Sequence, residues 1–232
     1  MILGGLQKLT LIDYPGQIAA TAFTFGCNFK CAFCHNYDLM VSGEGEIEHQ
    51  ISEKDFFAFL QERQGQLDGV CVSGGEPTLQ RDLPAFVRQI KELGFLVKLD
   101  TNGTNPDMLE HLLRQKLVDY VAMDIKAPLA KYSAVANWPV NTTDILRSVA
   151  LVKKAPRYEF RTTVAAGLHT KQDLLEIVDW LAGARNYFLQ QYRPVNFPIK
   201  PTQRPLAPFP QKDLDEVLAV AVPRFKNCTL RA

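Results

Sequence analysis

Short runs of β-branched and aromatic residues alternate with helix-type patterns along this 232-residue chain, and this alternation restricts the fold more than any other feature. Runs of this kind predict strands, and the amphipathic stretches between them predict helices. Because successive βα units build a parallel sheet, the six units found here predict an α/β fold. The predicted pairs are strand 17–25 with helix 52–62, strand 67–73 with helix 82–93, strand 95–99 with helix 106–115, strand 118–123 with helix 142–152, strand 158–164 with helix 171–181, and strand 187–192 with helix 211–220.

The number of units limits the architecture further. A closed (β/α)8 barrel has eight units and usually about 250 residues. A partial (β/α)6 TIM-like barrel fits the shorter chain, and an open doubly wound sheet fits it as well. No internal repeat or composition boundary is evident, so we expect one domain over residues 1–232. Residues 193–210 are rich in proline, which predicts an extended, non-helical crossing.

Composition excludes several classes of partner and location. The chain has 26 Lys+Arg against 25 Asp+Glu, a net charge of +1, which gives no general attraction to nucleic acid or to anionic lipid. No apolar run approaches the roughly 18 residues of a membrane span, and the first residues do not have the pattern of a signal peptide. We therefore expect a cytoplasmic protein that binds neither nucleic acid nor membrane.

Three of the five cysteines, Cys27, Cys31 and Cys34, lie within eight residues in a C-x3-C-x2-C pattern. Three clustered cysteines do not provide the four ligands in two separated pairs that a structural zinc finger needs, although a zinc site completed by His35 or by a distant residue stays open. Three thiolates this close can hold a four-iron cluster, which normally takes four cysteines, and would leave one iron open to another ligand. We interpret Cys71 and Cys228 as core or surface thiols, since free cysteine is commonly buried.

The C-x3-C-x-aromatic-C loop directly after the first predicted strand resembles the radical S-adenosylmethionine (radical SAM) superfamily. The resemblance implies a [4Fe-4S] cluster held by Cys27, Cys31 and Cys34, with S-adenosylmethionine on the fourth iron. It also implies reductive cleavage of S-adenosylmethionine to methionine and a 5′-deoxyadenosyl radical. No catalytic residue beyond the cluster ligands is assigned. Phe33 is expected either to pack against the adenine or to lie in the core beneath the loop.

Polar motifs also follow the carboxyl ends of the next strands, the edge where ligands bind in barrels and in open α/β sheets. After the second strand, Gly74, Gly75 and Glu76 form a segment similar to the GGEP motif of the superfamily, which contacts the amino end of S-adenosylmethionine. The alternative is an ordinary strand-to-helix turn. Arg161 in the fifth strand suits recognition of a carboxylate, and the resemblance implies the methionine carboxylate. A structural arginine is the alternative.

Two further segments resemble glycyl-radical-enzyme activating enzymes. Asp100 and Asn102 belong to a DTNG sequence, and Asp124 and Lys126 to a DxK sequence. The resemblance implies that Asp100 and Asp124 hold a monovalent cation, with Lys126 beside it. The alternatives are turns or helix caps, and for Lys126 a surface salt bridge.

For the other polar residues, the sequence gives little indication of a functional role. The stretch 190–192 is a weak candidate for contacts to adenine, to ribose or to a substrate channel. No catalytic role is assigned to His35, which follows the last cysteine of the motif. His49, His111 and His169 are expected on the surface.

Residues 11–16, Leu-Ile-Asp-Tyr-Pro-Gly, resemble the same region of activating proteins of anaerobic ribonucleoside-triphosphate reductase. The leading hypothesis is therefore an activase that generates a glycyl radical on that reductase, with a flavodoxin or ferredoxin-type protein as electron donor. The alternatives are activation of another glycyl radical enzyme, such as pyruvate formate-lyase, and chemistry on a small molecule, as in 7-carboxy-7-deazaguanine synthases. A non-enzymatic zinc-binding module is the hypothesis from a different class.

Overall fold

The computed structural model describes residues 1–36, 50–194 and 206–231 and has an α/β fold with a mostly parallel sheet. The α/β prediction is therefore confirmed. The strands are β1 (Leu3–Thr10), β2 (Ala19–Thr24), β3 (Gly69–Gly74), β4 (Leu96–Thr101), β5 (Tyr120–Asp124), β6 (Tyr158–Ala166), β7 (Asn186–Gln191), β8 (Ala207–Pro208) and β9 (Asn227–Arg231). The helices are α1 (Glu53–Glu62), α2 (Leu83–Glu92), α3 (Pro106–Arg114), α4 (Tyr132–Ala136), α5 (Thr142–Val152), α6 (Lys171–Leu181) and α7 (Gln211–Ala221).

The chain divides into two compact units, and the division falls inside β5. The first unit comprises Met1–Asn28, Asn36–Ala122 and Asp144–Arg157 among the described residues. In it β1 pairs antiparallel with β2, and β2, β3 and β4 pair in parallel. The first four residues of β2 are all buried, as expected for a parallel strand that is covered on both faces.

The second unit comprises Phe29–His35, Met123–Thr143 and Tyr158–Ala232 among the described residues. Its strand β7 lies between β6 and β9 and is parallel to both. The short β8 pairs antiparallel with the end of β6. Helix α6 begins with a capping box in which Thr170 and Asp173 exchange side-chain-to-backbone hydrogen bonds.

The predicted helices agree with the structure to within one residue at each end, and the predicted strands to within two. Strands β1, β8 and β9 and helix α4 were not predicted. Most of the proposed extended crossing at 193–210 lies outside the described residues. Within the described ranges, no helix is both long enough and apolar enough to span a membrane.

Candidate functional site

In the first unit, Gly74 ends β3 and Gly75 follows it, and both lie against the backbone that leads into the cysteine loop. Gly74 has a φ of +110°, and a Cβ there would lie 2.3 Å from the backbone nitrogen of Thr24. A Cβ on Gly75 would lie 2.0 Å from the carbonyl oxygen of Gly26. No side chain fits at either position, so the glycines permit this close approach just before Cys27.

Glu76, the next residue, is a buried carboxylate with 1% of its surface exposed. One oxygen accepts hydrogen bonds from the Thr78 backbone (3.1 Å) and the Thr101 hydroxyl (2.7 Å), and the other from the backbone N–H of Asn102 (2.6 Å). Burial raises the pKa of Glu76, although these hydrogen bonds act in the opposite direction. Glu76 thus ties the turn after β3 to the end of β4.

The substitution Glu76→Gln should lower the free energy of unfolding by about 2 kcal/mol, because an amide NH2 would then face a hydrogen-bond donor in a buried position. Chemical denaturation of the cofactor-free protein measures this. Glu92→Gln, at an exposed position, is the matched control and should change stability by less than about 0.5 kcal/mol. Equal stability of the two variants would show that Glu76 does not hold the turn.

Asn102 connects this turn to the cysteine loop. Its side-chain amide donates to the side-chain oxygen of Asn28 at 2.8 Å and lies 4.0 Å from the Cys27 sulfur. Its oxygen accepts from the Thr104 hydroxyl at 2.7 Å, and Asn28 donates to the same hydroxyl at 2.9 Å. The sequence did not identify Asn28 and Thr104, because an asparagine beside a cysteine indicates only a loop.

Asp100 lies at the end of β4 in the same unit. Its carboxylate forms an ion pair with Lys98 and accepts a hydrogen bond from the Ser73 hydroxyl at 3.0 Å. The Lys98 side chain is 1% exposed. Sequence reasoning missed Lys98, although its i, i+2 spacing to Asp100 puts both side chains on one face of the strand.

The second unit has its own charged cluster, in which Asp124 lies between two cations. Its carboxylate accepts from Arg161 Nε at 2.8 Å and from Lys126 Nζ at 3.1 Å. Burial alone would raise the pKa of Asp124, but the charges of Arg161 and Lys126 outweigh it and hold that pKa well below its usual range. Arg161 also lies 3.9 Å from the buried carboxylate of Glu159, which is itself paired with Arg231, so the cluster still carries one net positive charge, the sign that attracts a carboxylate ligand.

Cys31 and Cys34 belong to the second unit as well. The backbone N–H of Cys34 donates to the Cys31 carbonyl at 3.2 Å and closes a turn. The Cys31 side chain is 6% exposed, and its sulfur lies 3.9 Å from the carbonyl oxygen of Ala136 at the end of α4. Burial raises the pKa of the Cys31 thiol to about 11, so binding of a metal at this sulfur would release a proton.

Phe33, between these cysteines, is buried with 4% exposure. Lys126 Nζ lies 5.6 Å from the centre of its ring, and the His169 ring centre lies 6.4 Å away. The expectation of a surface His169 is wrong, because its side chain is 5% exposed. Nδ1 accepts from the Ala165 backbone (3.3 Å) and Nε2 is 2.8 Å from the Lys126 carbonyl oxygen, so the neutral ring donates from Nε2.

Burial lowers the pKa of His169, so the unfolded chain binds a proton here more readily than the folded chain does. The stability that His169 contributes should be fully present above its ordinary pKa of 6.5 and be lost as pH falls below that value. Urea denaturation of the wild type and His169→Gln at pH values on both sides should show a smaller pH dependence in the variant. Identical pH profiles would contradict this assignment.

The structure also locates the other polar and cysteine residues that the sequence analysis considered. The Gln191 side chain bonds to both backbone groups of Phe209, at 2.8 and 2.9 Å. Cys71 and Cys228, expected as core or surface thiols, are buried in β3 and β9. His35 and His111 are exposed, and His49 lies outside the described residues.

Comparison with known proteins identifies relatives across most of the chain. The model of the Radical SAM superfamily matches residues 21–181. A Methanocaldococcus jannaschii protein named "Putative glycyl-radical enzyme activating enzyme" is 36% identical over 200 residues, which cover 83% of this chain and 80% of the relative.

Two other comparisons concern the fold and the alternative of small-molecule chemistry. The 7-carboxy-7-deazaguanine synthase of Thermococcus kodakarensis is 28% identical over 68% of this chain and 66% of its own length. The crystal structure of QueE from Escherichia coli covers 100% of this chain and 93% of its own, with a TM-score of 0.58 at 16% identity. The likeness to such structures confirms the prediction of a partial barrel over that of an open doubly wound sheet.

Proposed function

The chain belongs to the radical SAM superfamily and is an enzyme of that class, and from this premise we propose that it generates a glycyl radical on a partner enzyme. Membership implies a [4Fe-4S] cluster and S-adenosylmethionine as cofactors. The observation that carries the proposal is the 36% identity to the M. jannaschii protein named for glycyl-radical enzyme activation, over 80% of that protein.

We propose Cys27, Cys31 and Cys34 as the cluster ligands, because three thiolates form a donor set that suits iron and leave one iron open. The chemistry that the bound group supplies is one-electron cleavage of S-adenosylmethionine to methionine and a 5′-deoxyadenosyl radical. The neighbouring side chains have the role of orienting the ligands. Asn28 and Asn102 hold the backbone beside Cys27, and the 3.2 Å bond between Cys31 and Cys34 shapes the rest of the loop.

For S-adenosylmethionine itself, we propose that Arg161 and Lys126 attract the methionine carboxylate, since their cluster with Asp124 carries one net positive charge. We also propose that Gly74 and Gly75 contact the amino end of S-adenosylmethionine.

The other cofactor contacts are narrower proposals. The Glu76 carboxylate already accepts hydrogen bonds on both oxygens, which supports a role in holding the turn. Contact of Phe33 with adenine stays a proposal. A monovalent cation at Asp100 and Asp124 would have to share the Asp100 carboxylate with the Lys98 ammonium.

The proposed partner is anaerobic ribonucleoside-triphosphate reductase, with a flavodoxin or ferredoxin-type electron donor. The support is the resemblance of residues 11–16 to activating proteins of that reductase. A cytoplasmic location and a single domain over residues 1–232 belong to the same proposal. Pyruvate formate-lyase is the alternative partner.

The test of the chemistry is anaerobic reconstitution with iron and sulfide, followed by chemical reduction in the presence of S-adenosylmethionine. We expect iron and sulfide in the ratio of a four-iron cluster, together with formation of 5′-deoxyadenosine. A protein that binds no cluster and releases no 5′-deoxyadenosine would overturn the proposal.

A small-molecule substrate is the second candidate function, favoured by the 28% identity to a 7-carboxy-7-deazaguanine synthase. It predicts 5′-deoxyadenosine formation that a small molecule stimulates, without a radical on any partner protein. The hypothesis of a non-enzymatic zinc-binding module is wrong, because the chain belongs to an enzyme superfamily.

A further inference from the structure

The first unit contains a lysine in an unusual environment. Lys98 lies in the middle of β4, and its side chain is 1% exposed. Lysine is almost never fully buried unless its charge is paired. Here the ammonium group forms an ion pair with Asp100, two residues further along the same strand. The second oxygen of Asp100 accepts from the Ser73 hydroxyl at 3.0 Å.

Two other groups around the ammonium also suit a cation. Cys71 is opposite Lys98 on the neighbouring parallel strand, and its sulfur lies 3.7 Å from Lys98 Nζ. The centre of the Tyr120 ring lies 5.9 Å from the same nitrogen, within the range of a cation–π interaction. A carboxylate, a sulfur and an aromatic ring thus lie around the buried ammonium of Lys98.

The resemblance to activating enzymes places a monovalent metal cation at Asp100, and an ammonium carries the same charge. We propose that Lys98 supplies this charge from within the chain, so that the enzyme needs no alkali cation at Asp100. The ammonium is already in contact with the carboxylate that a metal ion would have to bind. A bound cation would have to displace it, which would leave the ammonium buried without its counter-ion. The proposal for Lys98 rests on the proposed function, but binding of a cation can be measured by thermal unfolding without any enzyme activity.

The wild-type protein provides the first test. Thermal unfolding of the cofactor-free protein is compared in potassium, sodium and tetramethylammonium chloride at equal ionic strength, because tetramethylammonium is too large to replace an alkali ion. We expect equal Tm values in the three salts. An alkali ion that binds the folded protein and is present at a concentration of ten times its Kd would raise Tm by about 3–6 °C. A rise of that size in potassium or sodium chloride would overturn the proposal. Formation of 5′-deoxyadenosine should also differ by less than about twofold between the salts.

Lys98→Met provides the second test, with Lys54→Met at an exposed position as the matched control. Removal of the ammonium leaves Asp100 without its internal cation, so we expect the variant to gain a Tm rise of about 3–6 °C in potassium relative to tetramethylammonium. Lys54→Met and the charge-conserving Lys98→Arg should show no such rise. A folded Lys98→Met protein that is equally stable in all salts would contradict the proposal.

If Lys98→Met does not fold in any salt, the wild-type comparison decides the question alone. Failure of the proposed function would be recognised separately, as absence of 5′-deoxyadenosine formation in every salt. The Tm comparison would still report whether a metal cation binds.

Discussion

Replacement of any one of Cys27, Cys31 and Cys34 with serine should lower 5′-deoxyadenosine formation by at least about 100-fold, the upper end of the effect of losing a residue that only supports a metal ligand. The reason is that each cysteine is proposed to hold one iron, and the loop contains no fourth cysteine that could replace a lost ligand. Iron and sulfide content after anaerobic reconstitution should fall in parallel.

Cys228→Ala is the matched control, because Cys228 is buried in β9, away from the motif in sequence. It should keep both the cluster and the activity, apart from a stability loss typical of a small buried side chain. If Cys228→Ala lost the cluster while Cys34→Ser retained it, the assignment of ligands would be wrong.

Asp124→Asn should lower the free energy of unfolding by about 3 kcal/mol, because it removes the carboxylate that the Arg161 guanidinium, which also has Glu159 at 3.9 Å, shares with the Lys126 ammonium. Both side chains are largely buried, with 14% and 15% of their surfaces exposed. In a chain of this size, such a loss corresponds to a Tm lower by about 6–12 °C. Thermal and chemical denaturation of the cofactor-free protein measure it.

Asp107→Asn is the control, since Asp107 pairs with Arg147 at the surface with 82% exposure, where an ion pair contributes little to stability. The pH dependence gives a further check. The pKa of Asp124 lies below its ordinary 3.8, so its stabilisation is present above that pH and is lost as pH falls through the lower value. If Asp124→Asn were as stable as the wild type at neutral pH, the ion pairs of Asp124 with Arg161 and Lys126 would not stabilise the fold as proposed.

The secondary structure was largely predictable because its signals are local. Ser52 caps α1 by accepting from the Asp55 backbone, and Gly94 adopts a positive φ just after α2. The strands β1 and β9 carry weaker signals. β1 begins with two glycines after Leu3 and has three exposed residues in its second half, and its order depends on antiparallel pairing with β2. Such pairing is not visible in a short window of sequence.

The site was predictable at its motifs but not in its internal contacts. The spacing of Cys27, Cys31 and Cys34 and the positions of the polar residues at the strand ends follow directly from the sequence. The burial of Lys98 and His169 does not, since it depends on the strands and helices that cover them. For the same reason, the sequence could not show that both oxygens of the Glu76 carboxylate are bound within the protein.

The most direct test of the central claim is electron paramagnetic resonance of the reconstituted protein, incubated anaerobically with reductant, S-adenosylmethionine and anaerobic ribonucleoside-triphosphate reductase. We expect an organic radical doublet on the reductase that collapses when its glycine is deuterated at Cα, together with 5′-deoxyadenosine. The Cys34→Ser variant should give neither signal. Formation of 5′-deoxyadenosine without a glycyl radical on this reductase or on pyruvate formate-lyase would contradict the activase assignment.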